Sequence, residues 1–249
     1  MKLFVIPGHG AGDPGACGNG YEEAERVRAL ATRIKALGGA SVTLADFKRN
    51  YYEDNGISRL DLPGDTQIVE LHMDSGAASA RGGHVIIQAG LGGADKYDKA
   101  LAKSIAAIFP GRSITLDERD DLANPARAAA RGYGYRLVEN GFISNASDVK
   151  TFNSRLDDIA RAYLAAFGIK EGKVAFTDGA YITNVNLNVR DKRAKAGALC
   201  CTIAKGSTVK LDGFAVNSAG NTWARIASGD HKGRFVCVRT KSGDRVKKK

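Results

Sequence analysis

The chain has 249 residues and a formal net charge of +10, and 43% of its residues are hydrophobic. This length accommodates one large domain or two smaller ones, and the apolar content supports a buried core. No apolar stretch of the sequence is long enough to span a membrane, which excludes membrane insertion. The four cysteines lack the C-x-x-C spacing, so they indicate neither a disulfide framework nor a thiolate zinc site.

The positive charge is confined to the last third of the chain. Residues 1–170 contain 21 Lys and Arg against 21 Asp and Glu, whereas residues 171–249 contain 16 against 6. A neutral body with a basic appendage predicts two units, the second facing an anionic partner such as nucleic acid, a membrane surface or an anionic cell-wall polymer. We expect the last five residues, 245–249, to be a solvated tail.

Alternating strand and helix patterns along residues 1–170 predict one α/β domain. The expected strands lie at residues 3–6, 41–44, 66–71, 84–88, 114–116 and 135–138. The expected helices lie at residues 21–37, 94–109 and 149–167, with a loop and a short helix between 117 and 131.

Three polar residues directly follow predicted strands. His9 comes after the first strand within a glycine-rich loop, His72 follows the third strand, and Glu139 follows the last. Because ligands bind beyond the carboxyl ends of the strands in open α/β sheets, we expect these side chains to converge on one pocket.

A fourth candidate lies at the start of the first predicted helix. Glu23 precedes Val27 by four residues and shares its inward face, where a carboxylate needs a partner. The alternative is a first-turn acid favoured only by the helix dipole. Because Glu22 is adjacent, the sequence leaves open which of the two glutamates is the candidate. The inward face of the helix favours Glu23.

Two imidazoles and a carboxylate, with a fourth position open to water, are the ligand set of a catalytic zinc site. Zinc lowers the pKa of water to about 7 and polarises a carbonyl oxygen. A second carboxylate that does not bind the metal, here Glu139, is suited to carry the proton to a leaving nitrogen. Spacing by itself leaves open that these side chains are loop and core residues.

Five stretches of the first 170 residues resemble the zinc-dependent N-acetylmuramoyl-L-alanine amidases of the Amidase_3 type, which occur in phage endolysins and bacterial autolysins. They are residues 6–16, 20–23, 71–74, 81–83 and 138–145, in the family's order.

The resemblance implies that His9, Glu23 and His72 bind one Zn²⁺ per chain and that Glu139 is the catalytic acid and base. It also implies a twisted, mostly parallel six-stranded sheet flanked by helices. The implied reaction is hydrolysis of the amide between the lactyl group of N-acetylmuramic acid and L-alanine in peptidoglycan.

We expect three further residues, Asp74, His84 and Asn140, to contact substrate. Asp74 stands where the family commonly has Asn, and His84 stands where an acidic residue is usual. Asp74 orients a ligand histidine in an alternative interpretation. For His84 the alternatives are a hydrogen-bonded residue of the cleft wall or a third nitrogen near the metal.

Residues 178–249 resemble a bacterial SH3-type (SH3b) cell-wall-binding domain with a basic tail, joined to the catalytic domain, residues 1–170, by a linker at 171–177. Short strands spaced by about a dozen residues predict a small all-β barrel. The segments that carry the resemblance are residues 187–190, 205–209, 223–226 and 233–236. The Gly-Pro that usually follows Asn-Val-Arg in this domain is replaced by a different sequence. The alternative to an SH3b domain is a generic basic β module.

These features predict a peptidoglycan hydrolase whose second domain targets the cell wall. Few aromatic residues accompany the basic ones, so we expect no specific nucleic-acid partner. The apolar run after Lys2 ends at Ile6, too short for a signal peptide. This favours a phage endolysin that is made in the host cytoplasm and acts on the wall after release. The alternatives are a bacterial autolysin of the same chemistry and a non-catalytic wall-binding protein, and the sequence leaves the oligomeric state open.

Overall fold

The computed structural model describes residues 1–170, 176–217, 221–240 and 242–249. The chain divides into two compact units, Met1–Val174 and Ala175–Lys249. Residues 171–175 of the expected linker lie outside the described residues. No helix of the described ranges is both long and apolar enough to cross a membrane.

The first unit alternates strands and helices. Its strands are β1 Lys2–Pro7, β2 Cys17–Gly18, β3 Tyr21–Glu22, β4 Val42–Leu44, β5 Thr66–Asp74, β6 His84–Gln88, β7 Leu116–Arg119 and β8 Gly134–Phe142. Its α-helices are α1 Glu23–Gly38, α2 Lys96–Ile108, α3 Ala123–Ala130, α4 Ala146–Ser154 and α5 Leu156–Ala166.

Six of these strands form one sheet in the order β4-β1-β5-β8-β6-β7. The pairs β4–β1, β1–β5, β5–β8 and β6–β7 are parallel, and β6 runs antiparallel to β8. The expected α/β architecture with a mostly parallel six-stranded sheet is confirmed. The short strands β2 and β3 pair with each other between β1 and α1.

Alternate residues of the central strands pack on opposite faces of the sheet. In β1, Leu3 and Val5 join a large apolar cluster with α1, α2 and α5, whereas Phe4 and Ile6 join a smaller cluster that includes Ala128 of α3. Both faces of β1 are therefore buried, as the continuous apolar run predicts for a parallel strand.

The inward face of α1 follows the predicted periodicity. Val27, Leu30, Ile34 and Leu37 are at most 1% exposed. The helix begins at Glu23, two residues later than expected, because Tyr21 and Glu22 pair with β2 instead.

Two predictions of secondary structure are wrong. The single helix expected at 149–167 is two helices, because the backbone of Arg155 leaves the helical region and caps both α4 and α5. The strand expected at 114–116 lies at Leu116–Arg119, where its register against β6 places it at the edge of the sheet. An edge strand is half exposed, so its charged sequence gives little apolar signal.

The second unit is all-β. Its strands are β9 Gly179–Thr183, β10 Leu187–Arg190, β11 Leu199–Ile203, β12 Thr208–Val216, β13 Thr222–Ile226, β14 Phe235–Thr240, β15 Gly243–Asp244 and β16 Val246–Lys248. They pair antiparallel in the order β11-β10-β14-β13-β12-β9-β16, with β15 beside β14. The all-β character is confirmed, and closure into an SH3-like barrel stays a prediction.

The expectation of a solvated tail at the C-terminus is wrong. Residues Val246–Lys248 form β16 and pair with β9, and Val246 is buried in the apolar core of the unit. A single apolar residue among basic ones is compatible with a strand that buries one side chain. The run of basic residues made this short pattern look like a solvated tail.

Candidate metal centre and active site

The three predicted ligands converge at one end of the sheet in the first unit. Nδ1 of His72 donates a hydrogen bond to Oε1 of Glu23 at 2.9 Å, and Nε2 of His9 lies 3.0 Å from the same oxygen. One ligand atom from each residue lies within 4.8 Å of the other two. A single ion with ligand distances of about 2.0–2.3 Å can bridge such atoms.

Backbone groups hold the Glu23 carboxylate in place at the start of α1. Its Oε1 accepts from the backbone N–H of Met73, and its Oε2 accepts from that of Ala16, both at 3.0 Å. The side chain is therefore fixed to β5 and to the loop after β1 at once, although only one of its oxygens faces both histidines.

Two glycines make room for the ligand side chains themselves. A Cβ on Gly8 would lie 2.3 Å from the His72 ring, and a Cβ on Gly15 would lie 2.6 Å from the His9 ring. Gly15 also has φ of 66°, and His9 has φ of 67°, a value that a residue with a side chain adopts at a cost of about 1 kcal/mol. Strain of this kind is concentrated at functional sites.

Each histidine contacts a carboxylate through its outer nitrogen. Nδ1 of His9 donates to Oδ2 of Asp13 at 2.9 Å, and Nε2 of His72 donates to Oε1 of Glu70 at 3.3 Å. Glu70 is itself held by the side-chain amide of Asn124 and the hydroxyl of Tyr135. Carboxylates placed in this way fix the tautomer and raise the basicity of metal-binding histidines.

The donor set fits a zinc ion. Nε2 of His9 is buried and has no hydrogen-bond partner among the described residues, because its contact with Glu23 lacks hydrogen-bond geometry. The inner nitrogens of His9 and His72 and one oxygen of Glu23 are thus directed at each other, as ligands of one ion would be.

The charges of these side chains are strongly coupled. Burial raises the pKa of Glu23, but the hydrogen bond from His72 and the close approach of His9 outweigh burial and hold that pKa well below its usual range. For His72, burial lowers the pKa, but Glu23 and Glu70 outweigh burial and raise it well above its ordinary value. Because zinc binds neutral imidazole, metal binding must displace protons from this cluster.

Glu139 stands beside the ligands in the middle of the sheet. In the register of β5 and β8 it is level with His72, and in the register of β8 and β6 it is level with His84. Its Oε2 is buried without a hydrogen-bond partner among the described residues, and burial raises the pKa of its carboxyl to about 8. A carboxyl with a pKa near neutrality can both take and give a proton at pH 7.

The strands carrying two of these residues are longer than the sequence predicts. Because β5 and β8 pair with each other as far as Asp74 and Phe142, His72 and Glu139 lie within strands instead of beyond them.

His84 lies on β6, across β8 from the ligand strand β5, whereas Asp74 ends β5 two residues after His72. Burial and then the charge of Arg112 lower the pKa of His84 to about 4, so this imidazole is neutral at pH 7. The Arg112 guanidinium forms an ion pair with Asp74 and lies 5.2 Å from the centre of the Phe142 ring. Substrate contact by Asp74 and His84 stays a prediction.

Asn140 does not face the site. Its side chain is fully buried, donates to the carbonyls of His72 and Val138 at 3.1 Å, and accepts from the hydroxyl of Tyr163 at 2.9 Å. The expectation that Asn140 contacts substrate has no support in this geometry, because successive residues of a strand point to opposite faces. Asn140 instead ties β8 to β5 beneath the ligands.

A cavity of about 320 Å³ adjoins the candidate metal-binding residues. His9, His72 and Glu70 line one wall, and the start of α3 and Tyr52 line the other. The cavity can admit a substrate group next to the ligands, which a buried structural cluster would not allow.

Sequence reasoning missed two residues of this arrangement. Glu70 lies two residues before His72 in an otherwise apolar strand. Residues two apart in a strand share one face, so this spacing could have indicated that Glu70 lies beside His72. Arg112 lies in the loop before β7, and nothing in the sequence connects it with Asp74. Asp13 fixes its loop by accepting a hydrogen bond from the backbone N–H of Gly15, and it also orients His9.

The fold and the His-Glu-His cluster together define an α/β protein with a candidate metal site at one end of its sheet. Residues 3–171 match the family described as Amidase_3, N-acetylmuramoyl-L-alanine amidase, and the chain belongs to this family.

Comparison with known proteins extends this assignment. The chain is 25% identical to the "Probable autolysin PH" of Staphylococcus aureus, an alignment covering 98% of this chain. It spans only 61% of that relative's length.

Two solved structures share the fold. The amidase Ami1 of Mycobacterium smegmatis is 22% identical with a TM-score of 0.52, covering 68% of this chain and 97% of its own. The catalytic domain of the CD27L endolysin, which targets Clostridia difficile, is 20% identical with a TM-score of 0.52, covering 70% of this chain and 99% of its own.

Proposed function

We propose that this protein is a zinc-dependent N-acetylmuramoyl-L-alanine amidase of peptidoglycan. The convergence of His9, Glu23 and His72 beside the protonatable Glu139 is the observation that carries the proposal. Membership of the amidase family supports the identity of the scissile bond, the amide between the lactyl group and L-alanine.

His9, Glu23 and His72 would hold one zinc ion, which when bound supplies Lewis-acid activation of the attacking water and the lactyl carbonyl. Asp13 and Glu70 keep the two imidazoles in the tautomers that direct their inner nitrogens at the ion.

Glu139 takes the proton of the attacking water and returns it to the leaving nitrogen of L-alanine. The burial that raises its pKa to about 8 makes the first transfer favourable, since the buried carboxylate gains stability by being protonated. As the amide breaks, the same proton is available to the amine, which would otherwise leave as an unstable anion.

We further propose that the second unit is an SH3b-like module that targets the cell wall and that the protein acts as a phage endolysin. The excess of Lys and Arg after residue 170 supports attraction to an anionic wall. A test is expression in the host cytoplasm: an endolysin leaves cells intact until the membrane is permeabilised, whereas lysis of intact cells would contradict this role.

Metal content tests the catalytic proposal. The purified protein is expected to hold one zinc per chain, to lose wall digestion on chelation and to regain it when zinc is added back. A His72→Ala variant should lose both metal and digestion. Full digestion by chelated, metal-free protein would refute the proposal and favour a non-catalytic role for the His-Glu-His cluster.

A further inference from the structure

The sheet of the second unit has a second face, opposite its apolar core. Val189 of β10 and Ala224 of β13 point into the core. Their neighbours Arg190 and Trp223 therefore lie on the opposite face, because successive side chains of a strand alternate. A tryptophan on that face is nevertheless only 3% exposed.

Trp223 is one of the residues that line a cavity of about 270 Å³. Arg190, Lys195 and Arg245 contribute three cationic side chains to its lining, and Asn188 contributes a side-chain amide. Among the lining residues that the structure describes there is no carboxylate. The cavity, which we call the basic cavity, is therefore lined by cations that no lining carboxylate among the described residues neutralises.

Trp223 also lines this cavity, and its indole carries a hydrogen-bond donor. Its Nε1 is buried and has no hydrogen-bond partner among the described residues. An indole nitrogen can only donate, and a buried donor without an acceptor costs about 1–3 kcal/mol. An oxygen anion within the basic cavity would accept this hydrogen bond and neutralise the neighbouring cations.

The rest of the unit indicates that the anion belongs to a polymer. Of its acids, Asp212 pairs with Arg225 and Asp244 pairs with Arg239, so these carboxylates do not offset the remaining basic residues. A repeating polyanion interacts with an extended positive surface as well as with one cavity, whereas a small ion would engage the cavity alone.

We propose that the basic cavity binds an oxyanion, phosphate or carboxylate, carried on a repeating anionic polymer of the cell wall. This inference rests on the proposed wall-targeting role of the second unit and assigns that role to Trp223, Arg190, Lys195 and Arg245.

The test uses the full chain and its own fluorescence. Trp223 is the protein's one tryptophan, so its emission reports directly on the basic cavity. The probes are inorganic phosphate, poly(glycerol phosphate) and polyglutamate of matched charge, at physiological salt. A saturable change in emission with either polymer is the expected result. The polymer that binds more tightly identifies the source as phosphate or carboxylate.

Two variants and a control locate the binding. Lys195→Gln, at the exposed rim, should raise the Kd about fivefold. Trp223→Phe keeps a ring but loses the N–H donor, and should raise the Kd about tenfold by calorimetry. Arg234→Gln removes an exposed charge outside the lining and should change the Kd less than twofold.

Absence of saturable binding to both polymers would overturn the inference. An equal loss in Arg234→Gln would overturn it too, since binding would then depend on overall charge. Tighter binding to duplex DNA than to either polymer would overturn it in favour of a nucleic-acid partner. Polymer binding is measured on chelated protein and wall digestion on zinc-loaded protein. Binding without digestion then refutes only the amidase proposal, and digestion without binding refutes only this inference.

Discussion

Replacing Glu139 by glutamine should stabilise the metal-free protein while abolishing its activity. The pKa of Glu139 is raised from 4.5 to about 8 by burial, so the folded state holds a proton that the unfolded chain has released at pH 7. The folded state thus binds more protons between these two values, and stability is lost as pH rises through this window. Over about 2.5 pH units up to pH 7 the cost is about 3 kcal/mol.

Glutamine has no charge to bury, so Glu139→Gln escapes this cost. Urea unfolding of chelated protein should show the variant about 3 kcal/mol more stable at pH 7, with the difference vanishing near pH 4. The zinc-loaded variant should bind metal normally and lose activity by about 10²–10⁴. The exposed Glu22→Gln is the matched control and should match the wild type throughout. Parallel stability curves for Glu139→Gln and wild type would refute the reasoning about burial.

Three further substitutions test the supports of the site and of the sheet. Glu70→Gln should weaken zinc binding at least about tenfold in a competition titration, since it removes the charge behind His72, and unchanged affinity would contradict this. Gly15→Ala should fold but bind zinc poorly, because its Cβ would meet the His9 ring; zinc content checks this. Arg136→Met should cost about 3–5 kcal/mol in urea unfolding, because the buried Asp98 loses its charged partner, and a cost below about 1 kcal/mol would show that the hydrogen bond from the backbone of Asp95 is enough to hold this carboxylate.

The ligands were predictable because the chemistry of the site coincides with strong local signals. His9 follows a buried apolar strand, His72 follows the apolar residues of another, and Glu23 sits on the inward face of a helix whose periodicity is clear. Each signal is local, and parallel pairing of β1 with β5 brings the two histidines together.

Other features depend on contacts that the sequence does not encode locally. The length of β5 and β8 follows from their mutual pairing, and Asn140 alternates inward only because β8 continues through it. The ion pair of Arg112 with Asp74 joins a loop to a strand 38 residues away. The charge of its sequence conceals the last strand, β16, because its single buried residue, Val246, is followed by two exposed lysines.

The bond that is broken tests the central claim most directly. Purified peptidoglycan is digested by the zinc-loaded protein in ¹⁸O-labelled water, and the products are analysed by mass spectrometry. Attack on the lactyl carbonyl predicts stem peptides with a free L-alanine amino terminus and one ¹⁸O in the lactyl carboxylate of the glycan. New reducing sugar ends, or ¹⁸O in a peptide carboxylate, would show a glycosidase or a peptidase and contradict the account.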